Sequence, residues 1–480
     1  MGEKMPLWLD RQAYLQPEGI ALEKVDGTTW TFKQMQRQSK QIAKQMAALH
    51  IKEGEKVALL AQNSENIAFI AHACTYIGAV LVLLNTKLTN RELTYQLKTA
   101  DVQLLIGEEE LLTEKGLDFS NMHTFETIFS LQEANISLKK EMDMTQPYTM
   151  MFTSGTTGYP KAVVHTYSNH WWSAVSSALN LGLHKDDKWL LTLPMFHIGG
   201  FSTLVKSVIY GMTVFLMEKY DREIVYEAMK NRKITIVSFV TLMLKNYIED
   251  NKGESFPSNV RCILLGGGSV PSVLLDEVEK KSIPLFQSYG MTETTSQIVT
   301  LSEQDAHRKL GASGKALFPA DIQIDAPNED GIGEILVRGP MVMEGYYKND
   351  MANEKSFHDG WFHTGDVGRF DEEGFLYVVD RRNDLIISGG ENIYPTEIEQ
   401  VLLKNSNILD AAVVGKRDDV WGEVPVAFIV TDEKVDEASL RASLRESLAS
   451  YKIPKQFFIV DVLPRNASNK IMRHKLAEQL

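Results

Sequence analysis

Cysteine is nearly absent from this chain of 480 residues, which has two, Cys74 and Cys262. A disulfide-stapled scaffold is excluded, and both thiols, each set in an apolar stretch, are expected to be buried in a reducing compartment. No segment approaches the ~18 consecutive apolar residues of a membrane-spanning helix. Positive charge is in deficit, with 50 Lys and Arg against 63 Asp and Glu and a net charge of -13. Nucleic acid and anionic membrane surfaces are therefore unfavourable partners, and any anion must be gripped locally. The opening MGEKMPLWLDRQAYL lacks the basic region and apolar run of a signal peptide, so a cytoplasmic location is expected. With 32 Gly and 15 Pro, the composition also falls outside the fibrous and disordered classes.

What is present is a large apolar complement, 44% of residues, arranged in alternating strand and helix patterns. Thr31 to Gln34 form a capping box ahead of Met35, Ile42 and Met46, a spacing that keeps one helical face apolar. VALLAQ, AVLVLLN and VQLLIG read as strands, and the helices between them imply an α/β fold with a mainly parallel, helix-covered sheet. After about residue 320 the strands GEILVRG and GFLYVVD, with a Gly-Tyr-Tyr turn between them, mark a β-rich portion. From Leu385 a compact α+β unit begins, with strands LIIS, DAAVVG, VPVAFIV and QFFIVD and two helices. The polar stretch Asp380 to Asp384 separates two apolar strands. It divides the chain into a large domain, 1–380, a hinge, 381–384, and a small domain, 385–480.

The most informative segment is TSGTTGYPKA at 153–162. It follows a strand, and every residue from Thr153 through Ser154, Gly155, Thr156 and Thr157 to Gly158 is small. Such a loop offers unobstructed backbone N–H groups and four hydroxyls to a polyphosphate, and Lys161 adds a charge. Two residues separate Gly158 from Lys161 and no hydroxyl follows, so the loop is not the P-loop of kinases and GTPases. Ser154 is not a hydrolase nucleophile, because GxSxG is missing. A plain Ser/Thr/Gly surface turn is the remaining alternative for the loop alone.

TSGTTGYPKA resembles the phosphate-binding signature of the adenylate-forming superfamily, which includes acyl-CoA synthetases, luciferases and peptide-synthetase adenylation domains. The likeness recurs in order along the chain: SYGMTE at 288–293, HTGDVG at 363–368, DRRNDLIISGGENIYPTEIE at 380–399 and PRNASNKIMR at 464–473. Ala162 and Asn469 stand where the family usually has glycine. The resemblance implies ATP, Mg²⁺ and coenzyme A as reactants, in a large domain with a mobile small domain. It implies that Lys470 stabilises the phosphoryl transition state and that Thr292 and Lys161 contact phosphate, with Glu293 as metal ligand. Ser288, Tyr289, Gly290 and Met291, with Gly266, Gly267 and Gly268 of LLGGGSVP, would hold the nucleotide, and Asp366 and Arg381 its ribose. Rotation about Asn383 or a neighbour would withdraw Lys470 and present Gly389 and Gly390 to a thiol.

The segment PMFHIGGFSTLVKSVIYG at 194–211 is expected to line the acyl pocket. His197 corresponds to the family's gate between acyl site and thiol tunnel, and Gly290 and Ser296 would border the acid. Lys206 is a lone cation among Leu204, Val205 and Val208, and it either reaches water or meets an anion. NHWWSAVSSALNLGL and QSYGMTETTSQIVTL narrow the resemblance to the bacterial o-succinylbenzoate–CoA ligases of menaquinone synthesis, whose substrate carries a second carboxylate for Lys206. Trp171 and Trp172 are candidates for stacking on its ring or for plain packing. A fatty-acyl or other aryl-CoA ligase would need no second cation. A peptide-synthetase domain would need an acid for the substrate amine, and a catalytically silent relative would have lost Lys161, Glu293 or Lys470. The partners implied are small molecules, with self-association left open.

Overall fold

A computed structural model of the chain describes residues 3–154, 160–250, 255–266, 272–306, 308–380, 385–405, 407–431, 436–465 and 471–480. Among these, the strands form five sheets. Two carry most of the large region. The first runs from Met122–Thr124 through Val102–Gly107, Lys56–Leu60, Val80–Leu83 and Pro147–Ser154, all parallel. It ends in antiparallel Pro160–Thr166 and the short strand Gly345–Tyr346. The second has a parallel centre, from Ile20–Lys24 through Thr213–Leu216, Lys188–Leu191, Ile236–Val240 and Cys262–Gly266 to Leu285–Met291, with antiparallel edges. The alternating helices are what permit this, because a parallel pair needs a long crossover connection.

Local signals behave as read. Thr31 and Thr89 each close a reciprocal capping box, with Gln34 and Glu92. Met35, Ile42 and Met46 are fully buried in the core between the sheets. Cys74 and Cys262 are free and buried, and burial pushes both thiols up to about 12. The Gly-Tyr-Tyr segment differs from expectation, since Gly345 and Tyr346 pair as a strand with Val164 and Val163 and set Tyr346 beside the middle of the strand Pro160–Thr166.

Residues 321–380 form an antiparallel five-stranded sheet whose apolar core also takes in Val163, Tyr289, Ile298 and Val299 from the two large sheets. Beyond residue 385 the strands Ile386–Ser388, Glu391–Ile393, Asp410–Asp418, Gly422–Val430 and Gln456–Ile459 form a fifth sheet that takes no strand from earlier in the chain. The cores on its two faces are drawn wholly from residues 386–480.

Candidate active site

The loop ends, the strand ends and the small fifth sheet converge on one cavity of about 440 Å³. Its phosphate end is built from the antiparallel pair Pro147–Ser154 and Pro160–Thr166, whose register sets Lys161 opposite Thr153 and Pro160 opposite Ser154. Gly155, Thr156, Thr157 and Gly158 lie outside the described residues. Glu293, in the single turn Thr292–Thr294, is buried and accepts hydrogen bonds from Tyr346 Oη at 2.9 Å and Thr153 Oγ1 at 3.5 Å. Lys161, also buried, places Nζ 4.0 Å from the centre of the Tyr346 ring. A carboxylate, a hydroxyl and an ammonium thus meet where a polyphosphate and its cation would lie.

The backbone here accepts strain. Thr295 and Ser296 both have positive φ, 53° and 113°, a region costly for residues with a Cβ and tolerated where surroundings over-determine it. Ser173 donates to the Thr295 carbonyl at 2.6 Å and Thr295 Oγ1 to the Met341 carbonyl at 2.7 Å. Gly290 is required by space, since a Cβ there would sit 2.1 Å from the Ser296 carbonyl oxygen. His165 adds a buried brace. Its Nε2 lies 2.7 Å from the Thr292 carbonyl and its Nδ1 3.1 Å from Thr149 Oγ1, itself 2.8 Å from His170 Nε2. A carbonyl only accepts, so Nε2 carries the proton of His165, Thr149 donates to Nδ1, and His170 donates to Thr149. Burial holds His165 down to about 4 and His170 well below its usual range, which keeps the chain of bonds neutral.

Asp366 is buried and lines the same cavity, its carboxylate accepting from Tyr289 Oη at 2.8 Å. Tyr289, expected at the nucleotide, is instead buried behind Asp366 and positions it. Gly266 ends its strand beside Ser288, whose Oγ donates to the Leu265 carbonyl, and both line the cavity with Gly290, Met291 and Thr292. Gly267, Gly268 and Arg381 lie outside the described residues, as does Lys470.

The acyl end is the helix Ile198–Tyr210 with His197 at its N-cap. Ser202, Ser296 and Lys206 line the cavity there, and Ser202 Oγ donates to Ser296 Oγ at 3.4 Å. Lys206 is 2% exposed, with Nζ 5.4 Å from the centre of the Trp189 ring. Burial lowers it to about 8. Trp171 stacks on Trp8, and Trp172 packs on the core of the antiparallel sheet, which assigns both to packing.

The fifth sheet closes the cavity with Gly389, Gly390 and Glu391. Gly389 and Gly390 have φ of 58° and 86°, and a Cβ on Gly389 would meet the Trp421 ring at 2.8 Å. Sequence reasoning passed over Glu391. Its buried carboxylate takes Lys87 Nζ at 2.6 Å, Asn85 Nδ2 at 3.2 Å and His197 Nε2 at 3.3 Å. Burial opposes its ionisation, but His197 and Lys87 outweigh that and hold it at about 2. Tyr346, His165 and Glu391 were legible only as ordinary residues near motifs, because each acts on a partner more than fifty positions away.

Models of two families match the chain, AMP-binding enzyme over residues 9–347 and AMP-binding enzyme C-terminal domain over 397–470. A 2-succinylbenzoate–CoA ligase of Oceanobacillus iheyensis is 48% identical, with all of both chains covered. A double mutant of o-succinylbenzoate CoA synthetase from Bacillus subtilis, bound to the product analogue OSB-NCoA, superposes with a TM-score of 0.93 at 45% identity, covering 99% of this chain and 98% of that one. The same synthetase with the acyl-adenylate OSB-AMP gives 0.77 at 45% identity and the same coverage. Its complex with ATP and magnesium ion gives 0.76 at 45% identity, over 99% of this chain and all of that one.

Proposed function

The chain belongs to the AMP-binding enzyme family, and from that premise we propose how its residues divide the work of a two-step acid–thiol ligase. The reaction is activation of 2-succinylbenzoate by ATP, then transfer to coenzyme A, a step of menaquinone biosynthesis. A carboxylate oxygen attacks the α phosphorus and pyrophosphate leaves. The thiol sulfur then attacks the acyl carbon and AMP leaves. Both steps bring anions together, so the protein must supply cations and fixed donors rather than a nucleophile.

The observation that carries the reading is the cavity itself, which runs from buried Glu293 and Thr153, backed by Tyr346 and Lys161, to the buried ammonium of Lys206. Thr153, Ser154 and Gly155 to Gly158 cradle the phosphates with Lys161. Asp366, held by Tyr289, accepts from the ribose hydroxyls, aided by Arg381, while Gly266 to Gly268 and Ser288, Gly290 and Met291 flank the base. Glu293 fits magnesium, which takes carboxylate and phosphate oxygens and retains water. When bound, that ion neutralises charge on the phosphates. Thr292 faces the α phosphate, and Lys470 completes the first step. Gly389 and Gly390 border the thiol path beside His197. The division at 381–384 and the cytoplasmic site of action belong to the same reading. No described helix is long and apolar enough to cross a membrane.

Release of pyrophosphate, measured over a panel of carboxylic acids with and without coenzyme A, tests the assignment. 2-Succinylbenzoate should stand above monocarboxylic aryl and fatty acids, and preference for a monoacid overturns it. The metal assignment has its own check. Glu293→Gln keeps the shape and the bonds from Tyr346 and Thr153 but removes the charge, so adenylation should fall sharply and need more Mg²⁺ for half-maximal rate. An unchanged Mg²⁺ titration excludes Glu293 as a ligand, direct or through water.

A further inference from the structure

Outside the lining of the cavity, three buried charges join the fifth sheet's region to the large region. Lys452 Nζ lies 2.6 Å from Glu92 Oε1 and 2.8 Å from Glu397 Oε1, and all three residues are buried. Glu397 belongs to the helix Pro395–Leu402, on Lys452's own side, whereas Glu92 lies in the helix Asn90–Thr99 of the large region. One weaker tie runs alongside, Arg91 Nη1 to Ser447 Oγ at 2.9 Å. Ala449 packs into the apolar cluster that contains Leu93 and Leu97. The contact is therefore dry and specific.

We propose that Glu92 is a positioning residue for the second half-reaction, which through Lys452 holds the small domain where Gly389 and Gly390 close the cavity. The proposal rests on the reading that the small domain moves between the two steps.

The pair is built to open. Lys452 has two carboxylates, so parting from Glu92 leaves it paired with Glu397. Glu92 has a second engagement too, since its Oε2 accepts from the Thr89 N–H and hydroxyl, both at 2.8 Å. Neither charge is stranded when the contact parts, whereas a buried ion deprived of every partner would lock the arrangement or make it ruinous to leave. The Glu397 Oε2 atom has no hydrogen-bond partner. One ammonium thus serves two carboxylates, which limits the net strength of the contact, as a catalytic cycle with one opening per turnover requires.

Full-length Glu92→Gln tests this, because glutamine retains an oxygen for the Thr89 cap and loses the charge facing Lys452. Pyrophosphate release without coenzyme A should be unchanged. Thioester formation from supplied acyl-adenylate should fall about ten- to hundredfold in kcat. Glu92→Asp, which retains the charge at shorter reach, should fall between. Equal loss in both half-reactions makes Glu92 a structural residue and overturns the proposal, as does no loss in either. Failure of the underlying reading shows elsewhere: Lys470→Ala would then impair both half-reactions alike, whatever Glu92→Gln does.

Discussion

Lys470→Ala should reduce adenylate formation by about 10²- to 10³-fold, the effect of removing one donor aimed at transition-state charge, and leave thioester formation from supplied acyl-adenylate near the wild-type rate. The first step places an entering carboxylate and a departing pyrophosphate on one phosphorus, and a cation that arrives only there stabilises the transition state more than the ground state. In the second step bonds form and break at the acyl carbon and phosphorus keeps its four oxygens, so a cation aimed at the pentavalent phosphorus has no work in it. Lys470 lies outside the described residues. Rapid-quench measurement of both half-reactions checks the mutant, and equal losses in the two refute domain alternation.

The parts of this molecule legible in its sequence are those fixed by local chemistry. Capping boxes at Thr31 and Thr89 mark their helices because donor and acceptor sit three residues apart. Apolar runs such as VALLAQ become central strands because both faces are covered by helices. Motif residues Gly290 and Glu293 are brought to one cavity because they sit near the end of a strand and on the turn beside it, and Asp366 reaches the same cavity from the middle of the strand Trp361–Phe370. What stayed hidden depends on long-range geometry. Nothing near Glu391 announces that it will meet Lys87 and His197, and nothing in SYKIPK announces that Lys452 will be buried against Glu92. Tyr289 shows the limit of motif reading: its place in SYGMTE suggests ligand contact, but its side chain is turned inward to hold Asp366.

Lys206→Met should lower kcat/KM for 2-succinylbenzoate about 30- to 1000-fold, the equivalent of 2 to 4 kcal/mol for stranding one member of a desolvated charge pair. Among the described residues no carboxylate figures in the surroundings that set its charge, and its ammonium rests near the Trp189 ring in the acyl end of the cavity. Methionine preserves the length and packing of the side chain and, in the free protein, removes an unpaired buried cation, so the fold should not suffer. The analogue with hydrogen in place of the ring carboxylate never uses the lysine and should lose little. The two substrates and two proteins form a cycle in which general damage cancels. Burial supplies a second, independent readout. With its proton held only up to about pH 8, Lys206 is charged below that point and neutral above it. A substrate anion needs the charged form, so kcat/KM for the diacid should decline tenfold per pH unit above about 8. Measured as pyrophosphate release without coenzyme A, which keeps the thiol's own titration out, the decline should vanish for the analogue and in Lys206→Met. Equal weakening of both substrates, or a pH limb that survives the mutation, would mean that Lys206 packs the pocket without reading the second carboxylate.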